Sequence, residues 1–226
     1  PENAAAIKTI VTTEMARTVA EQNGVHMDET FTGFKFMAEK IAEYEKAGSY
    51  QYVLAYEESY GYMMGSYVRD KDAVTASMMI CEMAAWYNAQ GNTLLQALEA
   101  LYEKYGYYAE KTLNLVMPGI DGLARMQALM TRLRETPPRD ICGVKVLRER
   151  DYDTGKVIVP GLGAVDKTEI SGSNVLYFEL EDDTSFIVRP SGTEPKIKIY
   201  LLVRGEDKAA CAARIDKYAA YAQSLK

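Results

Sequence analysis

Apolar and polar positions alternate along the first half of the chain in blocks that predict strands and helices in turn. Residues 6–11 form a short apolar run that reads as a strand. Residues 14–22 read as a helix that Thr12 and Thr13 can cap and that Asn23-Gly24 can stop. Residues 25–31 look extended, 34–46 helical up to a stop at Gly48, and 51–56 a further strand. This rhythm predicts an α/β domain: a mixed, largely parallel sheet with helices on both faces. Residues 71–90 then form a helix with Val74, Met78, Met79, Ile80, Met83, Trp86 and Tyr87 on several sides. A helix apolar nearly all round is expected in a core, so its methionine and aromatic stripe is expected to be packing, with no cofactor attached. Residues 93–105 form another helix, capped by Thr93 and stopped by Gly106.

Beyond Gly106 the pattern changes. Residues 111–116 read as a short strand-like link, and Met117-Pro118-Gly119 breaks it. An amphipathic helix follows, with Ile120, Leu123, Met126, Leu129, Met130 and Leu133 at helical spacing, ended by Pro137-Pro138. Strands are expected at 144–148, 175–180, 185–188 and 197–203, with a hairpin turn at 181–184. A last helix over 207–225 places Cys211, Ile215, Tyr218, Ala219 and Ala222 on one stripe. The second half is therefore expected to be α+β, an antiparallel sheet with helices on one side. The domains implied are residues 1–113 and 114–226.

Composition narrows the function. At 226 residues, 48% hydrophobic and 26% charged, the chain has the make-up of an ordinary globular protein. A net charge of −6 speaks against nucleic acid as a partner, while leaving room for a local basic pocket. No apolar run has the length of a membrane span, and no basic–apolar–small leader is present, so a cytoplasmic location without a membrane partner is expected. Three widely spaced cysteines, Cys81, Cys142 and Cys211, argue against a disulfide framework or a metal site. Two of them fall in expected helices, where cysteine usually packs as a small buried hydrophobe. The one histidine, His26, is expected to be structural. The start at Pro1 fits processing or a piece of something longer.

Candidate chemistry concentrates in turns. Arg189-Pro-Ser-Gly-Thr-Glu-Pro195 lies between two expected strands and gathers a guanidinium, two hydroxyls and glycine backbone. Those are the donors that suit a phosphate dianion, and an ordinary hairpin turn with a solvated arginine is the competing reading. Ala55-Tyr-Glu-Glu-Ser-Tyr-Gly61 follows a strand, at the end of an α/β sheet where ligands bind. Its carboxylates and hydroxyl suit vicinal sugar hydroxyls, against the alternative of a solvated acidic turn. Arg69-Asp-Lys-Asp72 puts two cations before a helix, where the dipole disfavours them, and hints at an anion or proton-transfer role beside a charged surface turn. Thr32-Gly-Phe-Lys-Phe36 opens a helix with a glycine and Lys35.

Taken together and in this order, the four stretches resemble the α-D-phosphohexomutases, and the whole chain looks like the C-terminal half of a phosphoglucomutase or phosphomannomutase. The resemblance implies the third and fourth of four domains around one cleft, the third with a sugar-binding loop, the fourth TATA-box-binding-protein-like with a mobile phosphate loop. It implies transfer of phosphate between the 1- and 6-positions of a hexose, most readily glucose, through a phosphoserine and a sugar bisphosphate that serves as intermediate and activator. The serine loop and the Asp-rich Mg2+ loop of the family have no counterpart in these residues, so the partners implied are a sugar phosphate and the missing N-terminal domains, and this half alone is expected to be inactive. Position by position, the resemblance assigns Glu57 and Ser59 to sugar hydroxyls. It assigns Arg189, Ser191, Gly192 and Thr193 to the phosphate that is not transferred. Lys71 matches a lysine for proton transfer or charge neutralisation, Lys35 and Arg69 line the same cleft, and Lys198 adds a further cation. A phosphopentomutase of the same superfamily and a non-catalytic sugar-phosphate binder remain open.

Overall fold

The computed structural model describes residues 1–226 and divides them into two compact units, Pro1–Gly106 and Tyr107–Lys226. The first contains β1 (Ala4–Thr9), α1 (Met15–Gln22), β2 (His26–Thr30), α2 (Phe34–Ala47), β3 (Gln51–Tyr56), β4 (Tyr62–Met63), α3 (Ala73–Ala89) and α4 (Leu94–Tyr105). Its sheet has the order β2-β1-β3-β4, with β2 and β3 parallel to the central β1 and β4 antiparallel to β3. Side chains alternate across a strand, so β1 serves two cores. Ala5 and Ile7 pack on Phe34, Met37, Ile41 and Tyr44 of α2, while Ala6 packs with Ala20 of α1 and Met27 of β2. Covered on both faces, all six residues of β1 are buried.

One sequence expectation fails here. α3 is not a core helix: only Ala76 is buried, Val74 is 82% exposed and Trp86 59%, and Met78, Met79, Ile80 and Met83 also face outward. Its neighbours are β4 and α4, a two-residue strand and another partly exposed helix, while α1 and α2 take the sheet contacts. Cys81, expected to be buried on α3, is exposed with it. His26 stands on β2, stacked on Tyr50 with its Nε2 3.3 Å from Asp28.

The second unit contains β5 (Tyr107–Val116), α5 (Gly122–Glu135), β6 (Asp140–Ile141), β7 (Val144–Asp151), β8 (Lys156–Val159), β9 (Gly163–Lys167), β10 (Leu176–Leu180), β11 (Ser185–Pro190), β12 (Lys196–Gly205) and α6 (Lys208–Ser224). The sheet is antiparallel, in the order β5-β12-β11-β10-β7-β8-β9, with β6 on β7. The unit boundary lies at Gly106 and not near residue 114, because residues 107–116 form a full strand paired with β12 along its length. The β8–β9 hairpin is also additional; every residue of β9 is exposed, so it carries no apolar alternation to betray it. Met126, Leu129 and Leu133 of α5 and Ile215 and Tyr218 of α6 share one core with Ile197, Ile199, Leu201 and Val203 of β12. Both helices thus cover one face, as expected. The opposite set on β12, with Lys198 and Tyr200, faces away from them.

Candidate functional site

The loop after β3 is closed by its own backbone. The Glu57 N–H donates to the Gly61 carbonyl at 3.0 Å, and Tyr60 turns the chain through the left-handed region at φ 66. The Ser59 hydroxyl donates to Glu57 Oε1 at 3.0 Å, which joins the two residues assigned to sugar hydroxyls. Glycine is required at 61 by contact: a Cβ there would lie 2.6 Å from Phe34 Cε2 and 3.1 Å from Glu57 Oε1. Phe34, the first residue of α2, is buried under this loop and also has the Lys71 ammonium 5.7 Å from its ring centroid. Glu57, Gly61 and Lys71 therefore gather around one aromatic ring. Lys35, beside it, is exposed with its ammonium 4.5 Å from the Phe36 centroid.

Arg69 goes elsewhere. Its guanidinium is bonded to Glu45 in the last turn of α2. Glu45 stands eleven positions along the helix from Phe34, a rise of about 16 Å. Between Arg69 and α3, Asp70 accepts from the Lys71 N–H at 2.7 Å and lies 3.3 Å from its ammonium. Asp72 caps α3, accepting from Val74 N–H at 2.9 Å and Thr75 N–H at 3.3 Å. Hydrogen bonds from the Thr75 and Tyr67 hydroxyls hold its carboxyl down at about 2. Of the two acids in this stretch, Asp72 has the helix-capping task.

The loop between β11 and β12 has a different build. Arg189 is directly opposite Lys198 in the strand register, so both cations stand on the face away from α5 and α6. Arg189 meets the Tyr200 hydroxyl at 3.4 Å, a partner that the sequence alone does not point to. Neither cation is paired with a carboxylate; the acid of the loop, Glu194, is bonded to Lys196 instead. Ser191 Oγ accepts from the Thr193 and Glu194 N–H groups, both at 3.3 Å, and thereby shapes the turn. With its lone pairs used, its proton is what it can offer a ligand. A Cβ on Gly192 would meet nothing within 4 Å, so the backbone there is open to close approach. Gly192 and Thr193 are exposed at the tip. The arrangement can hold an anion.

Magnesium is a separate matter. No group of three or more His, Cys, Asp or Glu side chains is placed to hold a metal ion, so these residues form no Mg2+ cage of their own. No helix is long and apolar enough to cross a membrane.

Fold and loops together define a class: a parallel α/β unit with an acceptor-rich loop at a strand end, followed by an antiparallel α+β unit with a donor-rich loop between strands. Residues 1–105 match the family model for phosphoglucomutase/phosphomannomutase alpha/beta/alpha domain III, and residues 144–217 match that for the C-terminal domain. The chain belongs to the phosphoglucomutase/phosphomannomutase family. It is 35% identical over 198 residues to a phosphoglucomutase of Staphylococcus aureus (strain bovine RF122 / ET3-1), covering 88% of this chain and 35% of that protein. It is also 35% identical over 202 residues to a phosphoglucomutase of Staphylococcus saprophyticus, covering 89% and 36%. The chain thus spans little more than a third of the length of these curated relatives. Among solved structures, pp63/parafusin, a Paramecium phosphoglucomutase in its open form, aligns at a TM-score of 0.63 and 20% identity over 98% of this chain and 38% of that one. A phosphoglucomutase/phosphomannomutase family protein of Burkholderia thailandensis aligns at 0.53 and 15% over 99% and 38%. At such identities these two speak for the fold.

Proposed function

We infer that this chain is the substrate-recognising part of a phosphohexomutase that interconverts hexose 1-phosphate and hexose 6-phosphate, with glucose the favoured sugar. The Glu57 loop takes sugar hydroxyls and the Arg189 loop takes the phosphate that stays in place. The observation that carries this reading is the pair Arg189 and Lys198, two cations without carboxylate partners side by side on a chain of net charge −6. Two cations held side by side favour an anion between them, and a planar guanidinium matches two phosphate oxygens at once. Ser191, Gly192 and Thr193 supply the remaining donors.

Glu57 and Ser59 supply the other half of recognition. Carboxylate oxygens accept from adjacent hydroxyls, and the Ser59–Glu57 bond fixes their spacing before any ligand arrives. Lys71, held near the same ring, places a charge where a proton is handed on or a developing oxyanion is neutralised. The phosphoserine and the bound magnesium of the whole reaction belong to parts of the polypeptide outside these residues, so no turnover is expected from them alone.

Calorimetric titration with glucose 1-phosphate, inorganic phosphate and glucose tests the reading. Glucose 1-phosphate is expected to bind more tightly than either fragment. Glu57→Gln is expected to weaken glucose 1-phosphate and leave inorganic phosphate unchanged; equal loss of both would contradict the division of labour.

A further inference from the structure

Glu58 lies between the two residues assigned to the sugar and has a different partner. Its Oε2 accepts from the Thr9 hydroxyl at 3.2 Å, across 49 residues of sequence. Thr9 is the last residue of β1 and is completely buried. Its hydroxyl has one proton and two lone pairs. The proton goes to Glu58, so in the 2.8 Å contact with Thr12 Oγ1 it is Thr12 that donates. The Val11 N–H donates to the second lone pair at 3.3 Å. Every hydrogen-bonding capacity of Thr9 is therefore used, and its single proton is directed at the loop.

The base of this arrangement is as firmly tied. Lys8, also completely buried, donates to the Thr12 carbonyl at 3.0 Å and is paired with Glu14 at 2.7 Å and Glu29 at 2.6 Å. A buried ammonium tolerates little displacement, because each lost partner leaves charge uncompensated in a dry interior. The turn after β1 is thus a fixed platform, and Thr9 is its contact with Glu58.

We propose that Thr9 is a positioning residue for the sugar loop, holding Glu58 so that Glu57 and Ser59 meet the sugar hydroxyls at one fixed angle. The proposal rests on the reading of Glu57 and Ser59 given above. The Glu57–Gly61 backbone bond and the β3–β4 pairing close the base of the loop, and the Glu58 tether is the side-chain bond that joins its tip to the platform. Glu57 and Ser59, one residue to either side, are joined to each other and not to Glu58. Hydrogen bonds weaken steeply as they are misaligned, so a rotated loop loses sugar contacts without losing phosphate contacts.

The test is a double-mutant cycle in the full-length protein, with dissociation constants for glucose 1-phosphate and inorganic phosphate and with melting temperatures. Thr9→Val and Glu58→Leu are each expected to weaken glucose 1-phosphate roughly fivefold to tenfold, the scale of one ordinary hydrogen bond lost at second hand. The double variant is expected to be no worse than either single one, because both remove the same contact. Thr9→Ser and Glu58→Gln keep a donor and an acceptor and are expected to bind normally, and inorganic phosphate affinity is expected to stay constant throughout. Lower melting temperatures with unchanged glucose 1-phosphate affinity would overturn the proposal, and so would fully additive losses. Should Thr9→Val fail to fold, Glu58→Leu against Glu58→Gln decides the matter alone. Wild-type protein that binds inorganic phosphate but gains nothing from the sugar would overturn the reading of Glu57 and Ser59 itself, a result distinct from silent variants on a sugar-binding wild type.

Discussion

The two candidate loops hold their shape by opposite means. The Glu57 loop is crowded: its backbone is closed by Gly61, its glycine is pressed on Phe34, and Glu58 is tied to buried Thr9. The Arg189 loop is open: Gly192 has nothing above it, and two cations stand together without carboxylate partners. The difference matches what each is proposed to recognise. Sugar hydroxyls are neutral and directional, so their acceptors must be placed in advance. A phosphate dianion is held by charge from a distance, and its cradle gains from room to close around it.

The largest effect that could break this contrast is at Arg189. Arg189→Ala is expected to weaken inorganic phosphate by about 1.5–3 kcal/mol, the range for a lost charged hydrogen bond. Calorimetry on wild type and variant checks it, and an unchanged affinity would remove phosphate from the account.

Acid sharpens the contrast at the level of the two units. Glu149, on β7 and 2% exposed, is pushed up to about 7 by burial and by Asp151, against the pull of Arg134. Its raised value means the folded state holds a proton that the unfolded chain releases near 4.5. The stability it contributes is full below that pH and is lost as pH rises through about 7. In the first unit, burial raises Glu29, but Lys8 and Arg17 outweigh it and hold the carboxyl at about 2. Its contribution is present above about 4.5 and is lost as pH falls toward 2. Lowering the pH from 8 to 5 should therefore stabilise the second unit by roughly 2 kcal/mol and leave the first nearly unchanged. Hydrogen exchange at β12 and β1 amides reads the two separately, and Glu149→Gln should abolish the difference.

A glycine pair gives the next test. Gly61→Ala should destabilise the first unit by about 1–2 kcal/mol through overpacking on Phe34, whereas Gly192→Ala should change stability by less than about 0.5 kcal/mol. Thermal melts compare them. Equal effects would mean that the loops do not differ in crowding. The smallest effect is expected at Lys198: a compact ammonium has no planar fork, so Lys198→Ala should cost less than about 1 kcal/mol of phosphate affinity.

Sequence made the two loops legible because one lies between two clear strands and the other follows one, and because each is rich in residues that turns favour. The alternation of strands and helices also pointed to a largely parallel first sheet, though not to the order of its strands. It misled on α3, where an apolar pattern without a polar side carries no information about which side meets a core, or whether any does. Only residues 111–116 of β5 read as a strand-like link, because Glu110, Lys111 and Asn114 interrupt the apolar alternation, although β12 pairs with every one of them. Contacts between distant residues were beyond reach. Nothing in the spacing of Thr9 and Glu58 announces their bond, and nothing near Arg69 shows that Glu45 binds it. The register that puts Lys198 opposite Arg189 needs the length of the turn between them, which composition alone does not fix.

The account stands or falls on whether each loop reads its own part of the ligand, and amide chemical-shift mapping with the two parts added separately measures that directly. Glucose is expected to move the Glu57–Gly61 amides and leave Arg189–Thr193 in place; inorganic phosphate is expected to do the reverse. Phosphate shifts centred on Glu57–Gly61, or no response at Arg189–Thr193, would contradict it.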